Sequence, residues 1–478
     1  MNSNEIKFIL TRDQERVFKS LLSFIEDDNK RVFILCGYAG TGKTAMMKAL
    51  ISELNTRELP YSLHASTGRA AKILSIASGA TATTVHSLLY RFSDFNHNLE
   101  EFDKEILQNE TNGQLLLQFE ATKADRTDID HFKFYIIDEA SMVSDLEDKN
   151  PAQAMFGSGK LLRDLLKFDS KGKFIFVGDV AQLPPVKSNF SPALSPEYLS
   201  IHYSEECYFE ELTQIVRQAG NNDIIKVANK IRQLSANPPQ VKWGKFPMRN
   251  CANIRLVNSQ IELINRYVDD IRSNGFNHST MITRSNNLCN QITKTIRPAL
   301  GIHSVSLTVG DLLMVTQNNL LSGLMNGDMV KVTQIGSRSK HAGLTFLQVE
   351  VEELISGKRY SQLLIEDILY GQQTNLMQSQ QQQLFMSYFY CMREKGVKQK
   401  SKLFRDGMFA DEHLNALRAV FGYVLTCHKA QGGEWENVYI DIPRNLSLNP
   451  TSETYQWLYT AITRTRSNLF IVDDFYIS

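Results

Sequence analysis

The stretch RVFILCGYAGTGKTAMMKAL, residues 31–50, concentrates the chemistry of this chain. An apolar, β-branched run leads into a glycine-rich turn, a lysine and a hydroxyl, then into a segment of helical character. Gly37, Gly42, Lys43 and Thr44 fit the spacing G-x-x-x-x-G-K-[ST], with Gly40 and Thr41 inside the turn. A strand, a turn and a helix in that order aim backbone N–H groups and a helix N-terminus at an anion. The spacing predicts that Lys43 reaches the β- and γ-phosphates of a nucleotide and that Thr44 holds Mg2+. It does not say what the phosphate's energy drives, because motors, kinases, switches and transporters share the loop.

Two further apolar strands end in polar residues. FKFYIIDEASMV, residues 132–143, closes on Asp138 and Glu139. Asp138 stands where a Mg2+-coordinating aspartate belongs, and Glu139 is placed to polarise a water for attack on the γ-phosphate. KFIFVGDVAQLPPV, residues 173–186, leads to Asp179, Gln182 and two prolines that fix the loop's path. Gln182 is expected to touch the γ-phosphate; Asp179 either joins it or starts a turn.

GYAGTGKT, IIDEASM and GDVAQLPPV, in this order, resemble motifs I, II and III of superfamily 1 helicases, specifically the RecD-like and Dda-like branch. The resemblance extends along the chain, from Gln14 to about Arg466. Gln14 in ILTRDQERVF matches a glutamine that reads adenine through its amide donor and acceptor. Thr67, Gly68 and Arg69 in LHASTGRAAKIL match a loop that grips the DNA backbone, and Thr84 and His86 in TTVHSLLY match a second grip. Arg217 in EELTQIVRQ matches an arginine finger. Asn286, Asn290 and Arg297 match the next motif, or else belong to a capped amphipathic helix. In YVLTCHKAQGGEWENVYI, Thr426 and His428 match strand-contacting positions, and Gln431, Gly432 and Glu434 continue the match, the acid placed to bond a ribose. In WLYTAITRTR, Tyr459, Thr463 and Arg464 match a motif whose arginine is a second finger.

This resemblance implies an α/β fold: two RecA-like parallel-sheet motor domains with an inserted β-hairpin pin and an SH3-like β-barrel insertion. The expected division is 1–87 plus 132–209 for the first motor domain and 88–131 for the pin. Residues 210–310 plus 415–478 make the second motor domain, and 311–414 the barrel with its projection. ATP and Mg2+ lie between the motor domains, and single-stranded and fork DNA are the implied partners. Translocation from 5′ to 3′ is implied by the branch alone. Asn112-Gly113 is a turn signal within the pin, where Phe92 or Phe95 either stacks on a base or fills the core. GDLLMVTQNN and MNGDMVKVTQI alternate as short strands do. Leu376, Gln380, Leu384 and Tyr388 have helical spacing across a glutamine run. Arg393, Lys395, Lys398, Lys400, Lys402 and Arg405 then form a basic stretch, either a DNA-backbone contact or a solvated face.

The bulk numbers agree with a motor. The chain has 478 residues, 42% hydrophobic and 22% charged, enough for several domains. Lys plus Arg and Asp plus Glu both number 52, so nucleic-acid binding would need a local basic groove. The six cysteines lack zinc spacing and read as reduced thiols of a cytoplasmic protein. MNSNEIKFILTRDQERVF lacks the apolar core of a signal peptide, and no apolar run reaches the roughly 20 residues that span a bilayer. A monomeric motor without a domain before Gln14 is expected. Two other readings stay open: an ATP-gated clamp on single strands, and a helicase subunit of a recombination nuclease.

Overall fold

The computed structural model describes residues 10–107, 114–124, 132–147, 154–216 and 223–478. Its first sheet has six parallel strands in the order Ala82–Thr84, Tyr61–Ala65, Phe134–Asp138, Lys173–Gly178, Val32–Gly37 and Cys207–Leu212. The strands Val32–Gly37 and Lys173–Gly178 are buried throughout, as the central strands of a sheet covered on both faces must be. One apolar cluster fills each face. The sheet order decides the chemistry. It sets the loop around Lys43, the Asp138–Glu139 pair and Asp179 at the C-terminal ends of three adjacent strands, on one edge.

Lys173 is the fold's least expected core residue. Its ammonium is fully buried and donates to the carbonyls of Phe24 (2.8 Å), Ile25 (3.0 Å) and Asp27 (2.7 Å). Those carbonyls end the helix Arg12–Glu26, so the cation satisfies acceptors that the helix cannot.

The second sheet is also parallel, in the order Ile254–Val257, Thr465–Val472, Trp435–Ile440, Ser279–Thr283 and Val424–Thr426. A third sheet, antiparallel, runs Arg359–Ile365, Leu344–Glu353, Met329–His341, Leu312–Val315 and Ala419–Phe421. A bridge between Leu364 and Leu417 brings its two edges together around an apolar interior. A small fourth sheet joins Tyr90–Phe95, Leu117–Ala121 and Ala154–Phe156.

The strands differ from the expected division in three places. Cys207–Leu212 crosses 209 to pair with the phosphate-loop strand. Ala419–Phe421, from beyond 414, pairs with Leu312–Val315. Ala154–Phe156 joins the sheet of the first insertion from beyond 131. In each case a chain leaving one sheet completes hydrogen bonds that an edge would leave open. Asn112 and Gly113 lie outside the described residues.

The two insertions share one core. Phe95, Leu99 and Phe102 of the first pack with Phe346, Leu384 and Phe385 of the second. The helix Gln378–Glu394 carries Leu384 and Phe385, and Leu384 and Tyr388 are buried on the face foreseen from the spacing. Tyr390 and Arg393 both bond Asp103, and Gln399 bonds Asp94 and Leu99 N–H. Of the basic stretch, Arg393 is therefore paired, while Lys395, Lys398, Lys400, Lys402 and Arg405 are exposed. Among the described residues no helix is long and apolar enough to cross a membrane.

Phe95 is buried with its ring edge-on to Phe385 at 5.2 Å, a core position rather than a stacking platform. Phe95→Ala is predicted to destabilise the protein by about 3–5 kcal/mol, read as a lower urea midpoint. An unchanged midpoint with strand separation alone impaired would restore the base-stacking role.

Candidate nucleotide site and strand-gripping surface

The helix Lys43–Thr56 begins at Gly42, which takes φ +88° and offers no capping side chain. Only glycine suits that backbone, and a Cβ there would stand 2.3 Å from Gln14 Nε2. No acid occupies the first turn, so its N–H groups form a ready anion site. Lys43 Nζ donates to the carbonyls of Gly37 (2.6 Å) and Tyr38 (3.3 Å), folded over its own loop. Thr41 is buried and its hydroxyl donates to Tyr38 O at 2.8 Å; Thr44 is exposed beside it. Gln14 is buried against the loop. Its Nε2 donates to Thr41 O (3.3 Å) and its Oε1 accepts from Thr11 N (3.1 Å), so both ends of the amide have partners in the chain.

Glu139 has φ +51°, the left-handed region, at the end of the strand Phe134–Asp138. For a non-glycine residue this costs on the order of 1–2 kcal/mol, and such strain gathers at functional sites. The Asp138 carboxyl is pushed up to about 7, by burial first and then by the charge of Glu139; the Glu139 N–H and the Lys43 ammonium act against the rise. Gln182 is buried, and its Oε1 has no hydrogen-bond partner among the described residues. Asp179 is fully buried and accepts from Ala181 N at 2.9 Å.

These residues fit a magnesium-bound nucleotide. A hard cation that takes most of its oxygens from phosphate and water needs one carboxylate and one hydroxyl from the protein. Asp138 and Thr44 are the residues that would supply that pair. The unpartnered Gln182 oxygen supplies a buried acceptor on the same edge.

The second parallel unit closes the other side of the loop. Tyr459 Oη accepts from Ala39 N at 3.1 Å and donates to Asp179 Oδ2 at 2.8 Å. Leu183 N donates to Thr460 Oγ1 (2.9 Å), and Gln431 Nε2 donates to Leu183 O (3.2 Å). The Arg232 guanidinium lies 3.5 Å from the centre of the Tyr38 ring. Ala39, Gly40, Ile224, Ala228, Asn229 and Tyr459 line a crevice between the two units. Val216 N donates to Gly40 O at 2.8 Å, whereas Arg217 itself lies outside the described residues. Arg464 is buried and its guanidinium is spent inside its own unit, on Thr460 O, Gly433 O and Thr463 Oγ1. Glu434 pairs with Arg466 at 3.2 Å, an engagement that sequence spacing did not disclose. Arg232 was not singled out either, since an arginine on an amphipathic helix carries no signal of the ring it covers.

The expected strand-gripping residues fall in three places. Thr67 caps the helix Gly68–Ser78 and accepts from Ala70 N at 3.2 Å. Gly68 is buried beneath the turn at Met325–Asp328: a Cβ on it would lie 2.4 Å from Met325 Cβ. Arg69 stacks over Trp435 at 4.5 Å; its Nε has no partner among the described residues, and burial lowers its guanidinium to about 10. Lys72 pairs with Asp328 (2.8 Å) and Glu353 (3.5 Å), both fully buried. His86 is exposed, with its ring edge-on to Phe156. Thr426 lines a cleft with Asn286, Asn290 and Gln372, and His428 is half-buried nearby in sequence. Arg297, by contrast, is a buried ion pair with Asp311 at 2.9 Å beneath Phe421.

Known proteins resemble this chain over part or most of its length. Residues 9–242 match the model of the AAA domain, and residues 421–472 that of the UvrD-like helicase C-terminal domain. The ATP-dependent DNA helicase dda of Enterobacteria phage T4 is 24% identical, over 97% of this chain and 99% of its own length. The ATP-dependent RecD2 DNA helicase of Deinococcus radiodurans is 31% identical over 45% of this chain, a match spanning only 23% of that relative. A solved Pif1 helicase from Bacteroides, in complex with ADP-AlF3 and ssDNA, is 19% identical with a TM-score of 0.48, over 98% of this chain and 93% of its own.

Because its carboxyl is raised from the ordinary 3.8 to about 7, Asp138 holds its proton below that pH and must lose it before taking a cation. Affinity for a magnesium-bound ATP analogue is predicted to rise by up to about tenfold per pH unit below 7 and to level off above it. Asp138→Asn removes the inflection. An affinity flat between pH 6 and 8 in the parent chain contradicts the assignment.

Proposed function

We propose that this chain, which belongs to the superfamily 1 helicases of the RecD-like and Dda-like branch, is an ATP-dependent helicase. In this reading it moves along single-stranded DNA, 5′ to 3′, and parts the duplex at a fork. One observation carries the reading. The loop around Lys43 is bordered by Asp138 and Glu139 of its own sheet and by Tyr459 and Arg232 of the other unit. A kinase or a switch can complete such a site within one unit, whereas a motor needs its nucleotide shared between two.

Both parallel units then act as RecA-like motor domains. ATP enters with Gln14 toward adenine, Lys43 and the loop's N–H groups on the phosphates, and Glu434 toward the ribose after release from Arg466. Glu139 orients the attacking water and Gln182 senses the γ-phosphate. Closing the seam brings Arg217 and Arg464 to the γ-phosphate, a contribution of about 10³ to 10⁵ in rate where arginine fingers have been measured. Hydrolysis removes that attraction and the seam reopens.

Each unit holds a different part of the strand. Thr67, Gly68, Arg69 and His86 hold it on the first, Thr426 and His428 on the second, so that alternating grips make a step. The antiparallel sheet around Leu313 and Val332 serves as the SH3-like insertion, and the paired strands Tyr90–Phe95 and Leu117–Ala121 as the base of the pin. Their common core ties the two insertions together. The motor is monomeric in this reading.

The test is ATP turnover with and without single-stranded DNA. The expected result is stimulation of about tenfold or more, as binding completes the seam. Glu139→Gln should keep ATP binding and lower turnover by about 10²- to 10⁴-fold. Turnover indifferent to DNA contradicts the motor. DNA-stimulated turnover without strand separation on a tailed fork replaces it with the ATP-gated clamp.

A further inference from the structure

We propose that Tyr459 is a positioning residue that reports occupancy of the phosphate loop to the segment Asp179–Leu183, by yielding the Ala39 N–H to a phosphate oxygen while keeping its bond to Asp179. The proposal rests on the helicase reading and adds to it a specific contact through which the two units communicate.

The Tyr459 hydroxyl has one proton and two acceptor sites. The proton goes to Asp179 Oδ2 at 2.8 Å, and one acceptor site takes Ala39 N–H at 3.1 Å. Asp179 is fully buried, and its other oxygen is engaged by Ala181 N. The bond to the carboxylate is charge-assisted and the stronger of the two. The bond from Ala39 is a neutral one, from a backbone donor inside the loop that faces the nucleotide. An anion competing for the loop therefore breaks the Ala39 contact first and leaves the Asp179 contact in place.

The consequence runs through the next residue. Thr460 Oγ1 accepts from Leu183 N, and Thr460 O accepts from Arg464 Nε at 3.0 Å. A shift of the helix Ser452–Ile462 at Tyr459 thus moves Leu183 and Arg464 together. Gln431, which donates to Leu183 O, lies three residues beyond His428. A hydrogen-bonded route therefore joins the phosphate loop to the segment holding Thr426 and His428. Coupling along such a route is read by changing one contact at a time, and Tyr459→Phe is the informative change, because it deletes one oxygen and keeps the ring.

The experiment uses the full chain and two readouts. Equilibrium binding of a non-hydrolysable ATP analogue is expected to tighten by about 3- to 10-fold in Tyr459→Phe, since the competitor for Ala39 N–H is gone. The kcat for ATP with single-stranded DNA is expected to fall by about tenfold, with less change without DNA. A merely structural lesion moves both readouts the same way, weakening binding as turnover falls. Asp179→Asn combined with Tyr459→Phe should be no worse than the more damaging single change. Thr460→Val should lower DNA stimulation without tightening the analogue; tightening there overturns the assignment to the hydroxyl. Unchanged or weaker analogue binding in Tyr459→Phe overturns the exchange at Ala39. A parent chain whose turnover ignores DNA refutes the helicase reading and the relay together, while tighter analogue binding in Tyr459→Phe would still support the exchange.

Discussion

Backbone N–H groups at the start of an α-helix have no partner within the helix, and the sequence leaves those of Lys43–Thr56 to be satisfied by something anionic. The rest of the molecule follows from putting them to use. They need a glycine at Gly42 that a side chain cannot replace, a buried strand to aim the loop, and two neighbouring strands whose ends carry acids. The parallel order delivers all three to one edge. Burial at that edge first, and the charge of the adjoining Glu139 second, push the Asp138 carboxyl up to about 7, while the Lys43 charge acts against the rise.

The other side of the loop belongs to a different sheet. Tyr459, Thr460 and Gln431 reach across to Ala39, Asp179 and Leu183, so directional hydrogen bonds cross the seam beside the apolar packing of Tyr38, Ala181 and Leu183 against the second unit. Directional bonds of this kind exchange partners with little loss when geometry changes, whereas close-packed cores resist it. A further apolar joint lies at the insertions, where Phe95 and Phe385 meet.

Much of this was legible in the sequence, because the phosphate loop, the acid pair and the Asp179 loop are each built from residues close together along the chain. The apolar face of the helix Gln378–Glu394 was legible from its spacing. What covers that face was not, since periodicity gives the direction of burial and not the partner. The partners of Arg464, Glu434 and Gln14 were equally hidden: a side chain with several donors or acceptors takes whichever groups the tertiary fold presents. The pairing of the strands Cys207–Leu212 and Ala419–Phe421 was hidden as well, because each answers to hydrogen-bonding edges distant in sequence. The burial of Lys173 had no precursor in its local pattern, because its three carbonyl partners sit at a helix end about 150 residues earlier.

The central claim is that one nucleotide is shared across the seam, so that its γ-phosphate sets the distance between the two parallel-sheet units. Ile76 and Ile261, both exposed, lie on helices of the first and second unit. Spin labels on cysteines at these two positions, with Cys207, Cys251 and Cys391 changed to serine, report that distance directly. The account predicts one distribution with a non-hydrolysable ATP analogue and a different one with ADP, each in the presence of single-stranded DNA. Superimposable distributions in the two nucleotides would contradict it.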